Sequence, residues 1–126
     1  MAEYLLSMGT KIVLLKCGSA GIYLATAKEA ELKDLSAQCG FDLKQWAEKS
    51  LFETCFKPEK ICSGTGAGDT CIAAFLMALL TGETAETSIK LAAAEGASCM
   101  EAYDALSGLR TLEELKEKIA NGWQQY

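Results

Sequence analysis

The chain has 126 residues, of which 50% are hydrophobic and 23% charged, a composition typical of one globular domain rather than a disordered segment. Twelve basic and 17 acidic residues give a net charge of -5, which argues against binding to nucleic acid or to an anionic membrane surface. The sequence contains no histidine, which excludes Ser/His/Asp and Cys/His catalytic sites and nearly all zinc sites. A general base would therefore be a carboxylate, lysine, tyrosine or cysteine.

The first quarter of the chain predicts one helix end and two strands. Residues 2–8 read as the end of a helix that is closed by Gly9. Residues 11–16 form a continuous aliphatic run, the pattern of a strand buried on both faces, and we expect a central strand there. A glycine turn at 17–21 leads to a second predicted strand at 22–26, and this turn permits an antiparallel hairpin.

The next segment, 27–50, is polar and charged, with helical character. Within it, Asp42 followed by Gln45 resembles a capping box that opens a short helix. A strand is predicted at 51–56, and Pro58 closes it.

The second half of the chain is dominated by predicted helices. The glycine-rich segment 64–69 leads into 70–80, which is apolar on nearly all sides and predicts a buried helix. An alanine-rich helix follows at 84–100, and its small residues permit close approach by a sheet, another helix or a ligand. Thr111 and Glu114 form a capping box that opens a last amphipathic helix. The pattern predicts an α/β fold with a mainly parallel, twisted sheet flanked by helices; a free-standing unit with an antiparallel sheet is the alternative.

The six cysteines stand at irregular spacing and form no CxxC pair. No signal peptide precedes them, and Cys71 and Cys99 lie in apolar helical runs. We therefore expect reduced, mostly buried thiols that bind no metal, in a cytoplasmic protein. The longest apolar run, 71–80, is about half of a membrane span, so no membrane contact is expected.

The glycine-rich segment 64–69 carries the candidate chemistry. Alternating glycines let successive backbone N–H groups converge on one point, and the N-terminus of the following helix favours an anion. No Gly-Lys-Ser/Thr follows, so the segment is not a P-loop, and Asp69 stands where the dinucleotide fingerprint requires glycine. The segment predicts a site for a phosphate or a developing negative charge.

Asp69 admits two interpretations. It is either the N-cap of the helix, a role that Asp favours, or a general base. As a base it would take a proton from a hydroxyl that attacks a phosphoryl group held by the glycine loop.

Residues 63–70, Ser-Gly-Thr-Gly-Ala-Gly-Asp-Thr, resemble the C-terminal signature of the ribokinase-like (PfkB) carbohydrate kinases. Residues 12–23 resemble the strand and glycine turn that lie beside the nucleotide in that family, and 84–100 and 104–108 match the helix and loop that come after the signature. The resemblance covers nearly the whole chain. It implies a ribokinase-like fold, of which this chain is the C-terminal portion.

The resemblance implies phosphoryl transfer from ATP, with Mg²⁺, to a hydroxymethyl group of a sugar or sugar-like substrate. Asp69 would be the base, and the N–H groups of Gly66, Ala67 and Gly68 would form the anion hole. The nucleotide would contact Lys16, Gly18, Gly21, Gly64, Thr65 and Ala92. As alternatives, Gly18 and Gly21 only make a hairpin and Ala92 only packs in its helix.

Two departures from the family pattern concern metal and length. Ser63 stands where the family often has Asp, so a monovalent cation would rely on the backbone carbonyls of Ser63 and Thr65; no other metal site is expected. Kinases of the family are much longer, and their sugar pocket and lid come mostly from the N-terminal half. We therefore expect residues 1–126 to be the C-terminal nucleotide-binding part, inactive alone, with the missing N-terminal half as its partner.

Three functions remain open from the residues themselves. The first is a sugar kinase represented by its nucleotide-binding half. The second is a non-catalytic module that binds a nucleotide or another anion. The third is a structural interaction domain whose glycine loop is only a tight turn. The acceptor is undetermined, and a homodimer stays open.

Overall fold

The computed structural model describes all 126 residues. It contains six α-helices and three β-strands, which confirms the α/β prediction. In chain order these are α1 (Ala2–Ser7), β1 (Ile12–Lys16), β2 (Ile22–Thr26), α2 (Glu29–Cys39), α3 (Leu43–Trp46), β3 (Ser50–Glu53), α4 (Ala67–Leu80), α5 (Ala85–Cys99) and α6 (Leu112–Ala120). A 3-10 turn at Gly18–Ala20 joins β1 to β2.

The three strands form one sheet in the order β1-β2-β3, and both pairs are antiparallel. Ile12 lies opposite Thr26, so the predicted hairpin is confirmed. The expected mainly parallel sheet is wrong for these strands, because a turn as short as 17–21 reverses the chain and a parallel pair needs a long crossover. The expectation that β1 is central is also wrong: it is an edge strand, and of its residues only Val13 is buried.

Successive residues of β2 point to opposite faces of the sheet and join two different cores. Ala25 packs with Ala2 and Val13 beneath α1. Ile22 and Leu24 belong to the main core on the other face, where α4 and α5 lie. The sheet is therefore covered by one short helix on one side and by a helical layer on the other.

Helices α4 and α5 pack against each other and differ in burial. Eleven of the 15 residues of α5 are buried, but only six of the 14 residues of α4. The prediction of a buried helix at 70–80 is therefore only half right, because neighbouring elements cover one side of α4. Its other side exposes large apolar side chains, namely Ile72, Leu76, Met77 and Leu80.

The segment between β2 and β3 is helical, as its composition predicted, and it is anchored to α4 by Trp46. The indole ring lies 5.4 Å from the Phe41 ring and 5.7 Å from the Phe75 ring, between centroids. Its N–H donates to the Glu83 carbonyl at 3.0 Å. Asp42 caps α3 by accepting backbone N–H bonds from Lys44 and Gln45. Of the predicted capping box only this half is formed, because the Gln45 side chain makes no bond back to the Asp42 N–H.

The start of the last helix agrees with the sequence-based prediction, and the third strand is shorter than predicted. The capping box of Thr111 and Glu114 is present at the start of α6. The strand predicted at 51–56 is shorter, because regular pairing ends at Glu53 and Phe56 makes only an isolated bridge with Gln125.

All six thiols are free, and Cys71 and Cys99 are buried, as their apolar surroundings predicted. The expectation that most of the thiols are buried is wrong. Cys17 is exposed and the other three are partly exposed, because they lie in turns, helix ends and loops. None of the helices is both long enough and apolar enough to cross a bilayer.

Candidate functional site

The glycine loop, residues 64–68, enters α4 through a left-handed residue. Gly66 has φ +82° and is the N-cap of the helix. A Cβ on Gly66 would lie 2.6 Å from the Ala105 Cβ, so packing as well as backbone conformation requires glycine here. Ser63 supports the loop from its N-terminal side by accepting the Thr65 N–H at 3.1 Å.

Asp69 lies in the first turn of the helix and is not its N-cap. Helix α4 begins at Ala67, three residues earlier than the 70–80 expected from the sequence, so Asp69 is its third residue. The helix has no side-chain cap bond, and Asp69 is exposed. The capping interpretation of Asp69 is therefore wrong, and its carboxylate is free to contact another molecule.

The loop and the first turn of α4 present unpaired donors. The backbone N–H groups of Gly66, Gly68 and Asp69 have no acceptor within the chain, whereas the Ala67 N–H donates to the Gly64 carbonyl at 3.3 Å. This set differs from the predicted Gly66, Ala67 and Gly68. The Asp69 N–H is a further unpaired donor that the resemblance did not include. Unpaired N–H groups at a helix N-terminus attract an anion.

A cavity of about 760 Å³ lies between the glycine loop, the turn after β1 and helix α5. Its volume is within the usual range of small-molecule sites. The small residues Ala92, Ala93, Gly96 and Ala97 form its α5 wall. Seven of the residues predicted to contact a nucleotide or its phosphates line this cavity, namely Lys16, Gly18, Gly21, Gly64, Ala67, Gly68 and Ala92.

Lys16 brings a positive charge to the glycine loop. It is the last residue of β1, and its Nζ lies 2.6 Å from the position that a Cβ on Gly68 would occupy. The antiparallel hairpin therefore places the Lys16 ammonium beside Gly68, whose N–H is unpaired. Cation and N–H donors together favour a phosphate at this point.

Two thiols that no sequence pattern singled out also line this cavity, Cys55 and Cys71. Burial raises the pKa of the Cys71 thiol to about 11, although the nearby Lys16 ammonium lowers it. Burial also raises the pKa of Cys55. Both thiols therefore stay protonated near neutral pH and act as small apolar groups of the wall rather than nucleophiles.

A second cavity of about 420 Å³ is lined by Asp69, which does not line the first. Its walls are mostly apolar and come from α4 and from residues 105–112. Glu95 and Arg110 also line it. Gly66 lines this cavity, while Ala67 and Gly68 line the first, so the two cavities share the glycine loop as a common border.

The residues proposed for a monovalent cation lie outside both cavities. Neither Ser63 nor Thr65 lines them. The Thr65 carbonyl lies 3.5 Å from the Cys99 thiol, which donates to it. The nucleotide contact of Thr65 and the cation site at Ser63 and Thr65 stay predictions.

The chain matches the sequence model of the pfkB family carbohydrate kinases over residues 1–112. No curated protein matches it significantly in sequence. Among solved structures, the nucleoside kinase of Methanocaldococcus jannaschii is similar with a TM-score of 0.71 and 25% identity, over 96% of this chain and 33% of that one. The ribokinase of Arabidopsis thaliana, solved with ribose and ATP, has a TM-score of 0.70 and 25% identity, over 92% of this chain and 31% of that one.

A fructokinase double mutant of Vibrio cholerae, solved with fructose, ADP and potassium, shares the fold with a TM-score of 0.64 at 17% identity, over 91% of this chain and 32% of that one. The chain thus spans about a third of the length of these structures. Sequence and ribokinase-like fold agree, and this chain belongs to the pfkB family of carbohydrate kinases.

Proposed function

We propose that this chain is the nucleotide-binding part of an ATP-dependent kinase that phosphorylates a hydroxymethyl group of a sugar or sugar-like substrate. One observation carries the proposal. Asp69 and the unpaired N–H groups of Gly66 and Gly68 lie together at the start of α4, on the border between two cavities. In phosphoryl transfer the attacking and leaving oxygens stand on opposite sides of the phosphorus, so a two-sided site suits this reaction.

ATP would occupy the larger cavity. The small residues of the α5 wall, among them Ala92, leave room for a flat base, and Lys16 lies beside Gly68 at the end where phosphates would lie. The A. thaliana ribokinase was solved with ATP, which supports the choice of nucleotide. Asp69 is the only acid in the glycine loop and first turn, so we expect Mg²⁺ to arrive with the nucleotide rather than in a protein cage.

Asp69 would act as the general base. The acceptor hydroxyl gives its proton to the Asp69 carboxylate while its oxygen bonds to the γ-phosphorus, and the bond between that phosphorus and the bridging oxygen of ADP breaks. The N–H groups of Gly66, Gly68 and Asp69 would hold the negative charge on the phosphoryl oxygens. These donors are fixed by the helix, so they need no reorganisation as the charge develops.

The acceptor would be held largely by protein outside this chain. The chain covers about a third of the kinases it resembles, and we assign residues 1–126 to the nucleotide-binding part of a longer kinase or of an assembly. The monovalent cation at Ser63 and Thr65 is also part of this proposal, since the V. cholerae enzyme was solved with potassium. Alone, the chain is expected to bind Mg-ATP but to turn it over weakly or not at all, because positioning of the acceptor supplies much of the catalysis.

The test compares Asp69→Asn with wild type in Mg-ATP binding by the 126-residue chain and in turnover by the longer kinase that contains it. Turnover should fall about 100- to 10,000-fold, the usual contribution of a general base. The dissociation constant for Mg-ATP should stay similar or decrease, because the substitution removes a negative charge beside the phosphates. Glu113→Gln is the matched control, since Glu113 is an exposed first-turn acid of α6. Intact turnover in Asp69→Asn would exclude Asp69 as the general base. Binding of Mg-ATP without any phosphoryl transfer by the wild-type longer protein would favour the non-catalytic nucleotide-binding module.

A further inference from the structure

The segment between α5 and α6 lies directly against the glycine loop; we call residues 101–110 the bracing segment. Directly before it, the Met100 carbonyl accepts the N–H groups of Cys62 and Ser63 at 2.8 and 3.4 Å. In its middle, Ala105 packs on Gly66 so closely that no Cβ fits between them. The Cys99 thiol bridges the two segments, lying 3.5 Å from the Thr65 carbonyl and 3.6 Å from the Ala105 carbonyl. A shift of the bracing segment therefore moves the backbone that presents the unpaired N–H groups.

Arg110 holds the far end of the bracing segment on α5. Its backbone N–H donates to Glu95 Oε1 at 3.0 Å, and its side-chain Nε–H donates to Ser98 Oγ at 3.0 Å. Ser98 Oγ in turn donates to the Gly108 carbonyl at 2.7 Å. A guanidinium nitrogen lies 3.6 Å from the Glu101 carboxylate, which joins the two ends of the segment.

The partners of Arg110 on α5 are almost completely buried. Ser98 is 0% exposed and Glu95 is 4% exposed. A buried polar group that loses its hydrogen-bond partner keeps the full cost of its desolvation, so these two residues strongly favour the conformation in which Arg110 is in place. Glu101 is held independently, because it also accepts the Glu59 N–H at 2.9 Å and contacts Lys118 at 3.1 Å.

We propose that Arg110 is a positioning residue for the anion hole: through Glu95, Ser98 and Glu101 it fixes the bracing segment against Thr65 and Gly66, and thereby fixes the direction of the Gly66 and Gly68 N–H groups. This inference rests on the proposed function of the glycine loop as a phosphate site. Arg110 itself lines the cavity beside Asp69, and its role toward the phosphate is indirect, because its guanidinium is committed to Ser98 and Glu101.

The experiment uses the ¹⁵N-labelled 126-residue chain and Mg-ATP as the probe, with Arg110→Gln as the main variant. Arg110→Gln removes the guanidinium and keeps the backbone N–H bond to Glu95. We expect the amide resonances of residues 62–69 to move before nucleotide is added, and Mg-ATP affinity to fall about tenfold, the effect of losing about one hydrogen bond. Arg110→Lys, which keeps a cation beside Glu101, should recover part of the affinity.

Lys116→Gln is the matched control, because Lys116 on α6 pairs with Glu83, in the loop between α4 and α5, and with Glu113, and it lines neither cavity. It should leave the loop resonances and the affinity unchanged. If Arg110→Gln unfolds the chain, Ser98→Ala is the second variant. It leaves the arginine in place and removes both the acceptor of its Nε–H and the hydroxyl that donates to the Gly108 carbonyl, so the same loop resonances should move.

Wild-type affinity and unmoved loop resonances in a folded Arg110→Gln chain would overturn the inference. So would losses of affinity that are equal in Arg110→Gln and Lys116→Gln. If the wild-type chain does not bind Mg-ATP but the loop resonances still move in Arg110→Gln, the proposed function fails while the positioning of the loop by Arg110 is supported.

Discussion

The two glycine-rich segments of the chain look alike in sequence and differ in what their glycines do. In the turn after β1, Gly21 has φ +133° and its missing Cβ would collide with the Glu53 carbonyl oxygen on β3. Gly18 in the same turn has φ +59° but faces open space. In the glycine loop, Gly66 is pressed against Ala105, while Gly68 meets only the flexible end of Lys16.

Each segment therefore contains one glycine that the fold requires and another that packing leaves free. A glycine whose absent side chain would strike the protein's own backbone is explained by the fold alone. A glycine that lines a cavity and has an unpaired N–H is not required by the fold, and its missing side chain matters only when a ligand approaches it. By this criterion Gly21 belongs to the hairpin, as one alternative interpretation of the sequence held, and Gly68 is the better candidate for ligand contact.

Gly21→Ala should have the largest effect on stability. The substitution combines a left-handed backbone conformation with a collision against the carbonyl of a paired strand, so a loss of about 3 kcal/mol or more in the free energy of unfolding is expected. Urea unfolding followed by circular dichroism measures it. Gly64→Ala is the control, since a Cβ there would meet nothing within 4 Å and its φ is not left-handed; its effect should stay within about 0.5 kcal/mol. Equal losses in the two variants would break the distinction between fold-required and free glycines.

Gly66→Ala should destabilise the chain by about 2 kcal/mol, because it adds a steric contact with Ala105 to a left-handed N-cap. The double variant Gly66→Ala with Ala105→Gly removes the closest contact, 2.6 Å to the Ala105 Cβ, and leaves the 3.0 Å approach to the Ala105 Cα and the backbone strain. It should therefore recover about half of the loss, and a double-mutant cycle measures the coupling between the two positions. No recovery in the double variant would mean that packing on the bracing segment does not require Gly66.

Gly68→Ala should leave the fold intact and weaken Mg-ATP binding. Only the Lys16 ammonium stands in the way of the new methyl group, and a flexible side chain moves aside easily. The free energy of unfolding should change by less than about 0.5 kcal/mol, whereas the dissociation constant for Mg-ATP should rise about tenfold, equivalent to about 1.4 kcal/mol. Calorimetric titration and urea unfolding of the same variant separate the two effects. A large loss of stability with unchanged binding would place Gly68 among the fold-required glycines.

Glu95→Gln should have the smallest effect on stability. It sharpens the comparison because the glycine loop is backed by a buried carboxylate, Glu95, which accepts the Arg110 N–H of the bracing segment. Burial raises the pKa of Glu95, although the Arg110 N–H and charge lower it in part. The folded chain therefore holds this proton more tightly than the unfolded chain. The stabilisation from protonation is complete below the unfolded pKa of about 4.5 and is lost as the pH rises through the higher folded pKa.

Glutamine resembles the neutral form of Glu95 and retains an oxygen that accepts the Arg110 N–H. Glu95→Gln should therefore raise Tm modestly at pH 7, and the gain should disappear below about pH 4.5. Thermal unfolding across this pH range checks both statements. A gain that persists at about pH 4, below the unfolded pKa, would mean that the carboxylate charge is not its source.

The sequence predicted most of the fold because its local signals are strong. The capping box of Thr111 and Glu114 and the Asp42 cap are read from neighbouring residues alone, and both are present. The position of β1 in the sheet was predicted wrongly, because an aliphatic run reports apolar surroundings and not the number of neighbouring strands.

The candidate site was predictable in its residues and not in its arrangement. The glycine loop and Lys16 could be chosen from the signature and the strand before the first turn. That Asp69 borders a different cavity from Lys16 depends on how α4 and the bracing segment pack, and no local pattern encodes that. Arg110 could not be selected either, because its partners Glu95 and Ser98 lie on another element, 15 and 12 residues away in the chain.

The uncovered side of α4 has a consequence for handling the chain in solution. Leu76, Met77 and Leu80 are each at least half exposed and lie on one helix. We expect copies of the isolated chain to associate through this apolar stripe. The net charge of -5 opposes such contacts by mutual repulsion. Salt screens that repulsion while leaving the apolar attraction in place, so light scattering should rise with ionic strength at fixed concentration. We therefore expect self-association of folded chains, rather than unfolding, to limit the salt concentration at which the chain remains monodisperse.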